Sequence, residues 1–277
     1  MLIDRKKVII PATQKRILNS AWGEGSTENS VLEKITYLSD GLRVKGYLAY
    51  PLDTSQKYPC IIWCRGGYGN AGALDDFHAR GILGQIASWG YTVFQTQYRG
   101  NAGGEGKDSF GGDDLNDVLN LELLARDLEF ANTEIWGIEG WSRGGMMTYL
   151  ALTKRETFNA AISTGGISNL QCTLDESNFM KKLFNLNHSR LDSEFCSERT
   201  ILKQMENYSK KTPTLLLHGT HDNRIPPHHS LDLSYKFLEY GIEHKLVLFE
   251  KGDHFLREHK KEVDLIRKNW FAKYLKQ

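Results

Sequence analysis

From Pro59 onward the chain alternates short apolar runs with segments whose apolar residues recur at helical spacing. Residues 60–64, 91–96, 135–138, 160–163, 214–217 and 245–249 form the short runs, and most are apolar on both faces. Such runs fit the strands of a parallel sheet covered on both sides by helices. Between two of them, 114–130 carries apolar residues at 115, 118, 119, 121, 123, 124 and 128, which predicts a helix. Two further runs, 35–38 and 44–48, flank Asp40-Gly41. That dipeptide between strand-like segments predicts a hairpin and an antiparallel start to the sheet. A helix over 254–276 is expected to end the chain, after a helical or irregular lead-in over 1–34. The pattern as a whole predicts an α/β fold in a single domain over 1–277.

Residues 170–209 break the alternation with about forty residues of mixed polar and helical character between two strands. A sheet does not need them, so two readings stand. They form a small helical cap over the C-terminal strand ends, where ligands of such sheets bind, or they are a solvent-facing excursion.

Candidate chemistry starts at Gly140-Trp141-Ser142-Arg143-Gly144. The strand-like run 135–138 precedes this G-x-S-x-G stretch and a helical pattern from Gly145 follows it. Strand, sharp turn and helix together predict a nucleophile elbow that exposes the Ser142 hydroxyl. A serine hydroxyl needs a base to take its proton and a third group to orient that base. In an elbow of this kind the acid and the histidine follow in that order, after later strands. Asp222 lies just past the run 214–217, and His254 just past the run 245–249. Asp253 adjoins His254, but sequence neighbours rarely face one another, so Asp222 is the expected partner. For the oxyanion, the first expected donor is the amide of Arg143, directly after the nucleophile. The loop Arg65-Gly66-Gly67-Tyr68-Gly69, after an early strand, is the expected source of the second, which makes Arg65 and Gly66 candidates. Arg99 and Arg143 have two readings, as contacts to an anionic substrate group or as structural ion-pair partners.

Composition narrows the classes. Hydrophobic residues make up 40% and charged ones 25%, too apolar for a disordered chain. A net charge of +1, with no basic block interleaved with aromatics, argues against nucleic acid as a partner. No run of about 18 apolar residues occurs, so no membrane-spanning helix is expected. The first ten residues hold four charges and lack the apolar core of a signal peptide. The four cysteines, Cys60, Cys64, Cys172 and Cys196, form no C-x-x-C pair, which fits a reduced, cytoplasmic protein. His218, His221, His228 and His229 share no helix-spaced ligand motif and read as a packed strand end. Neither a metal nor a cofactor is expected.

Taken together, these residues resemble the catalytic domain of the prolyl oligopeptidase family of serine peptidases, within the α/β-hydrolase fold. The resemblance runs from about residue 35 to the C-terminus. It rests on Gly-Trp-Ser-Arg-Gly-Gly (140–145), Tyr98-Arg99-Gly100-Asn101 with the glycine-rich loop to Gly112, His-Gly-Thr-His-Asp-Asn-Arg-Ile-Pro (218–226) and Gly252-Asp253-His254. It implies that Ser142, Asp222 and His254 are the triad. Three departures accompany it. The propeller of many members, which screens substrate size, has no room in about 35 residues. Arg65 stands where relatives often place a Tyr or His for the oxyanion. Ile167 and Leu170 stand where proline-specific relatives carry aromatics, so these two, with Tyr68, are the expected apolar substrate contacts. The expected function is hydrolysis of a small ester, amide or short peptide through an acyl-serine, with a peptidase favoured. A carboxylesterase with the same triad and a non-catalytic small-ligand binder are the alternatives.

Overall fold

The computed structural model describes residues 1–187 and 192–276. Positions 188–191 of the expected cap lie outside the described residues. One nine-stranded sheet runs through the molecule. Its strands are β1 (Leu2–Lys7), β2 (Ser30–Ser39), β3 (Leu42–Pro51), β4 (Tyr58–Cys64), β5 (Thr92–Thr96), β6 (Ala131–Trp141), β7 (Phe158–Thr164), β8 (Thr214–Gly219) and β9 (His244–Phe249). Their order across the sheet is β1-β2-β3-β5-β4-β6-β7-β8-β9. β1, β2, β3 and β5 pair antiparallel, and the six strands from β5 to β9 pair parallel. The sheet expected from the short apolar runs is thus the sheet observed.

Successive residues of a strand point to opposite faces, and β4 shows why its run is apolar throughout. Cys60, Ile62 and Cys64 enter one core, while Ile61 and Trp63 enter the other. Helices α1 (Ala12–Trp22), α2 (Gly25–Glu28) and α3 (Asp76–Ser88) come first along the chain. Ala79, Leu83, Ile86 and Ala87 of α3 fill the Ile61 side. Helices α4 (Leu115–Leu119), α5 (Leu121–Ala125) and α6 (Arg143–Leu152) follow, and all three contribute to the Cys60 side. Between β7 and β8 the chain forms α7 (Leu170–Glu176), α8 (Asn178–Asn187), α9 (Ser193–Glu198) and two short 3-10 turns. α10 (His228–Tyr240) packs Leu233 and Phe237 into the Cys60 side. α11 (Lys260–Tyr274) places Val263, Trp270 and Phe271 on the Ile61 side.

The hairpin forms where the dipeptide predicts it. Ser39 pairs with Leu42 across Asp40 and Gly41, whose φ values are 49° and 81°. Two consecutive positive φ values are what a two-residue turn matched to strand twist requires.

Three expectations need correction. The lead-in holds a strand, β1, at the sheet edge; five of its six residues are exposed, so it carried no apolar signal. The stretch 114–130 is two five-residue helices rather than one. Asn120 separates them, its side-chain amide drawn to Ser39 Oγ (2.9 Å) and Asp40 Oδ1 (3.2 Å) of the hairpin. The final helix begins at Lys260, because the residues before it form the loop that carries His254.

Candidate active site

The elbow is built from steric exclusions. Ser142 follows β6 with φ 59° and ψ −121°, a conformation that side chains rarely adopt and that needs external support. Support comes from its amide, which donates to Thr164 O (2.8 Å), and from its carbonyl, which accepts from Gly145 N (2.9 Å). A Cβ on Gly140 would lie 2.0 Å from Gly144 O, and one on Gly144 would lie 1.9 Å from Cys64 O. Both glycines of the pentapeptide are therefore required for the turn to pass so close to β4 and to itself.

Asp222 and His254 meet across the next two strand ends. Asp222 follows β8, and its Oδ1 accepts from the amides of Arg224 and Ile225 (2.9 Å each). Its Oδ2 lies 2.7 Å from His254 Nδ1 and 3.3 Å from His218 Nε2. Burial works against the ionised form of Asp222, but hydrogen bonds from His218 and His254 outweigh it and hold the carboxyl well below the usual carboxylate range. His254 lies on the loop after β9, and its carbonyl accepts from Trp141 Nε1 (2.9 Å), which ties the histidine loop to the residue before Ser142. With Nδ1 on Asp222, Nε2 is the ring nitrogen left for Ser142. Gly165 lets this pair seat. A Cβ there would lie 3.3 Å from Asp222 Oδ2 and 3.4 Å from His254 Nδ1.

Ser142 and His254 line one cavity of about 820 Å³. Tyr68 and Gly66 line it too, as do Trp63, Trp141, Phe179, Met180 and Phe255. Phe179 and Met180 belong to α8, so the segment between β7 and β8 reaches the site. Ile167 and Leu170 do not line the cavity. Both are fully buried in the core on the Cys60 side, which corrects their expected place as substrate contacts. An apolar residue just after a strand end serves a core as readily as a pocket, and the residue type cannot separate the two.

The Arg65 side chain is likewise committed elsewhere. It is fully buried, and its guanidinium donates to Gln97 O (2.7 Å), Gly69 O (3.1 Å) and Gly66 O (3.0 Å). With Nε also on Gln97 O (3.1 Å), four of the five N–H groups of that guanidinium are taken by backbone carbonyls, so a backbone amide is the better-placed donor from this loop. Gly66 runs close to Ser142: a Cβ on it would lie 3.3 Å from Ser142 Cβ. Among the described residues the Gly66 and Arg143 amides donate to no protein acceptor. Arg143 is the first residue of α6, where amides lack partners within the helix.

A buried ion network that the sequence did not single out holds these amides. Arg143 donates to Asp108 through Nη1 (2.9 Å) and Nη2 (2.7 Å), to Gly67 O (3.0 Å), and to Asp114. Asp108 also accepts from Gly69 N (3.2 Å) and from Asn101 Nδ2 (3.0 Å). Arg143 thus engages two carboxylates across the elbow and the glycine loop, and Arg65 Nη2 lies 4.0 Å from one of them, at Asp108 Oδ2. The available signal was Arg143 itself, since an arginine entering a buried helix demands a carboxylate, and Asp108 and Asp114 stand at the end of the glycine-rich loop. Arg199, just after α9, donates to Phe110 O (2.8 Å) and Ser109 O (3.0 Å) in the same loop. Arg99 pairs with Asp117 and Asp40 (2.8 Å each), which makes it structural. His218 packs at a strand end, as expected, and there it also touches Asp222, a contact its residue type alone did not signal.

Known proteins resemble this chain in sequence and in fold. Residues 78–277 match the prolyl oligopeptidase family, a span that includes Ser142, Asp222 and His254. The uncharacterized peptidase YtmA of Bacillus subtilis is 34% identical over 210 residues, covering 74% of this chain and 79% of its own length. The uncharacterized peptidase YuxL of the same organism is 29% identical over 266 residues, covering 89% of this chain but 39% of its own. Among solved structures, the acylaminoacyl peptidase of Pyrococcus horikoshii superposes with a TM-score of 0.76 at 26% identity, covering 91% of this chain and 43% of that one. An acylaminoacyl peptidase bound to Z-Gly-Gly-Phe-chloromethyl ketone gives 0.75 at 27% identity, covering 90% and 42%. The chain spans most of YtmA and under half of the other three. Among the described residues no helix is long and apolar enough to cross a membrane. Nine strands in this order, the elbow after β6 and the match over 78–277 agree: the chain has the α/β-hydrolase fold and belongs to the prolyl oligopeptidase family of serine peptidases.

Proposed function

We propose that the chain hydrolyses short peptides through an acyl-Ser142 intermediate. His254 takes the Ser142 proton through Nε2 and later delivers it to the leaving amine. Asp222 holds the imidazole through Nδ1 and balances the charge that develops on it. The amides of Arg143 and Gly66 receive the oxyanion, and the network around Asp108 keeps the two in register. What carries the reading is the 2.7 Å contact of His254 with an ionised Asp222, in a cavity that also holds a serine at φ 59°.

The cavity supports peptides of apolar character. Tyr68, Trp63, Trp141, Phe179 and Phe255 offer aromatic surface, and Arg224 and Arg257 add cations at its rim. The segment between β7 and β8 acts as the cap, with α8 as its contact with substrate. A fluorophosphonate probe tests the nucleophile: it labels the native chain and leaves Ser142→Ala unlabelled, whereas equal labelling of both overturns the proposal. A panel of aminoacyl-anilides against p-nitrophenyl esters tests the class. Turnover of anilides supports a peptidase, and turnover of esters alone replaces it with a carboxylesterase.

A further inference from the structure

Away from Ser142, the cap meets the body of the protein at a cluster of three metal-ligating side chains. Cys172 and Glu176 stand four residues apart on α7 and so share one face of that helix. His228 opens α10, the helix that follows the Asp222 loop. Cys172 Sγ lies 3.3 Å from Glu176 Oε1 and 3.5 Å from His228 Nε2, and His228 Nε2 lies 3.3 Å from Glu176 Oε2.

These spacings are those of ligands around a small tetrahedral ion. With Zn–S of about 2.3 Å and Zn–N or Zn–O of about 2.0–2.2 Å, tetrahedral angles put the ligand atoms about 3.4–3.6 Å apart. The 3.5 Å between Cys172 Sγ and His228 Nε2 matches, and Glu176 brings a different oxygen to within 3.3 Å of each of them. One oxygen of Glu176 faces each partner, so a rotation of its carboxylate selects one oxygen as ligand. Thiolate, imidazole and carboxylate form a donor set that suits zinc and disfavours magnesium or calcium.

The surroundings separate ligands from support. His229 offers a further nitrogen within 4.8 Å of Cys172 and His228. That ring is buried, however, and both its nitrogens are engaged, Nδ1 by Ser168 Oγ (3.1 Å) and Nε2 by Thr173 Oγ1 (3.0 Å). It stacks on His228 at 4.7 Å and so backs the ligand ring. The side chains of His228 and Glu176 are 35% and 45% exposed, which leaves the fourth position open to solvent.

We propose that Cys172, Glu176 and His228 form a site for one thiophilic divalent cation of the zinc class, with water as fourth ligand, that fastens α7 of the cap to α10. No step of the peptide hydrolysis requires it. Its consequence is mechanical. Ser230, two residues along α10 from His228, lies 2.7 Å from His218 Nδ1, and His218 touches Asp222. An ion at the site therefore joins the cap to the helix that braces the triad acid.

Cobalt(II) titration of the chelator-treated full chain tests this, because a thiolate ligand gives a charge-transfer band and tetrahedral geometry gives intense visible bands. The expected result is one equivalent bound, displaced by zinc, with the charge-transfer band lost in Cys172→Ser. His228→Ala and Glu176→Gln weaken binding at least about tenfold, and Ser142→Ala leaves it unchanged. Melting of each metal-free variant shows that it folds, and Glu176→Gln, at an exposed position, is the mildest of them. Zinc raises the melting temperature of the native chain and not that of Cys172→Ser. Absence of a charge-transfer band, or its survival in Cys172→Ser, overturns the proposal.

Discussion

Two groups of arginines flank Ser142, and they differ in what answers their charge. Arg65 and Arg143 lie beneath it, 0% and 1% exposed; Arg143 pairs with Asp108 and Asp114, and Arg65 lies 4.0 Å from Asp108. Arg224 and Arg257 lie at the rim of the cavity and have no carboxylate partner among the described residues. They rest on aromatic rings instead: the Arg224 guanidinium is 4.5 Å from Phe179 and 4.7 Å from Phe255, and that of Arg257 is 4.7 Å from Phe255. Removing a charge from water costs several kcal/mol unless an opposite charge and hydrogen bonds replace the water. The buried pair has met that cost with carboxylates and backbone carbonyls, and is scaffold. The rim pair keeps its hydration and its donors, and is available to a ligand. One residue type thus serves two ends, and burial with partner decides which.

The largest effect expected is on neither group. Ser142→Ala should lower kcat by about 10³–10⁶ while leaving the melting temperature close to that of the native chain. This separates the chemistry from the scaffold on which the comparison rests. Arg143→Met breaks the scaffold: it strands Asp108 and Asp114 in the interior, and a loss of about 3–5 kcal/mol follows in chemical denaturation.

Acid reads the same network without mutation. Burial works against the charge on Asp108, but Arg143 outweighs it and holds the carboxyl down to about 2. Its pKa is lower folded than unfolded, where a carboxyl titrates at about 4. The stability it contributes is therefore present above about pH 4 and lost as the pH falls toward 2. Denaturation midpoints measured across that window should fall less steeply in Asp108→Asn than in the native chain.

Arg224→Ala tests the rim. KM for short peptides should rise about tenfold, the weight of one charge-assisted hydrogen bond, with kcat little changed and stability within about 0.5 kcal/mol. A drop in stability as large as that of Arg143→Met would erase the distinction between the two groups. The smallest effect concerns Ile167. Ile167→Val should cost about 0.5–1.5 kcal/mol of stability with KM unchanged, as befits a core residue.

The sheet and the triad candidates were legible because their signals are local. Apolar runs mark buried strands, the pentapeptide marks a turn only glycines allow, and Asp222 and His254 each sit just past a strand. β1 was illegible because an exposed edge strand has no buried face to pattern. Ile167 and Leu170 misled because side-chain type carries hydrophobicity and not direction. The ion network escaped because Asp108 and Arg143 are 35 residues apart, and their meeting depends on how a glycine-rich loop folds across the elbow.

Arg199 bears on how such a chain can be re-engineered. Cap segments of this kind invite grafting, as if they were attachments that could be exchanged to change selectivity. Here the end of the segment supplies a guanidinium that holds the carbonyls of Ser109 and Phe110, and Ser109 Oγ donates to Asp114 (2.6 Å). A transplant that discards Arg199 would release the loop that carries both carboxylates of the buried network. The practical boundary of the exchangeable piece therefore lies before Arg199, within α9, and not at the start of β8.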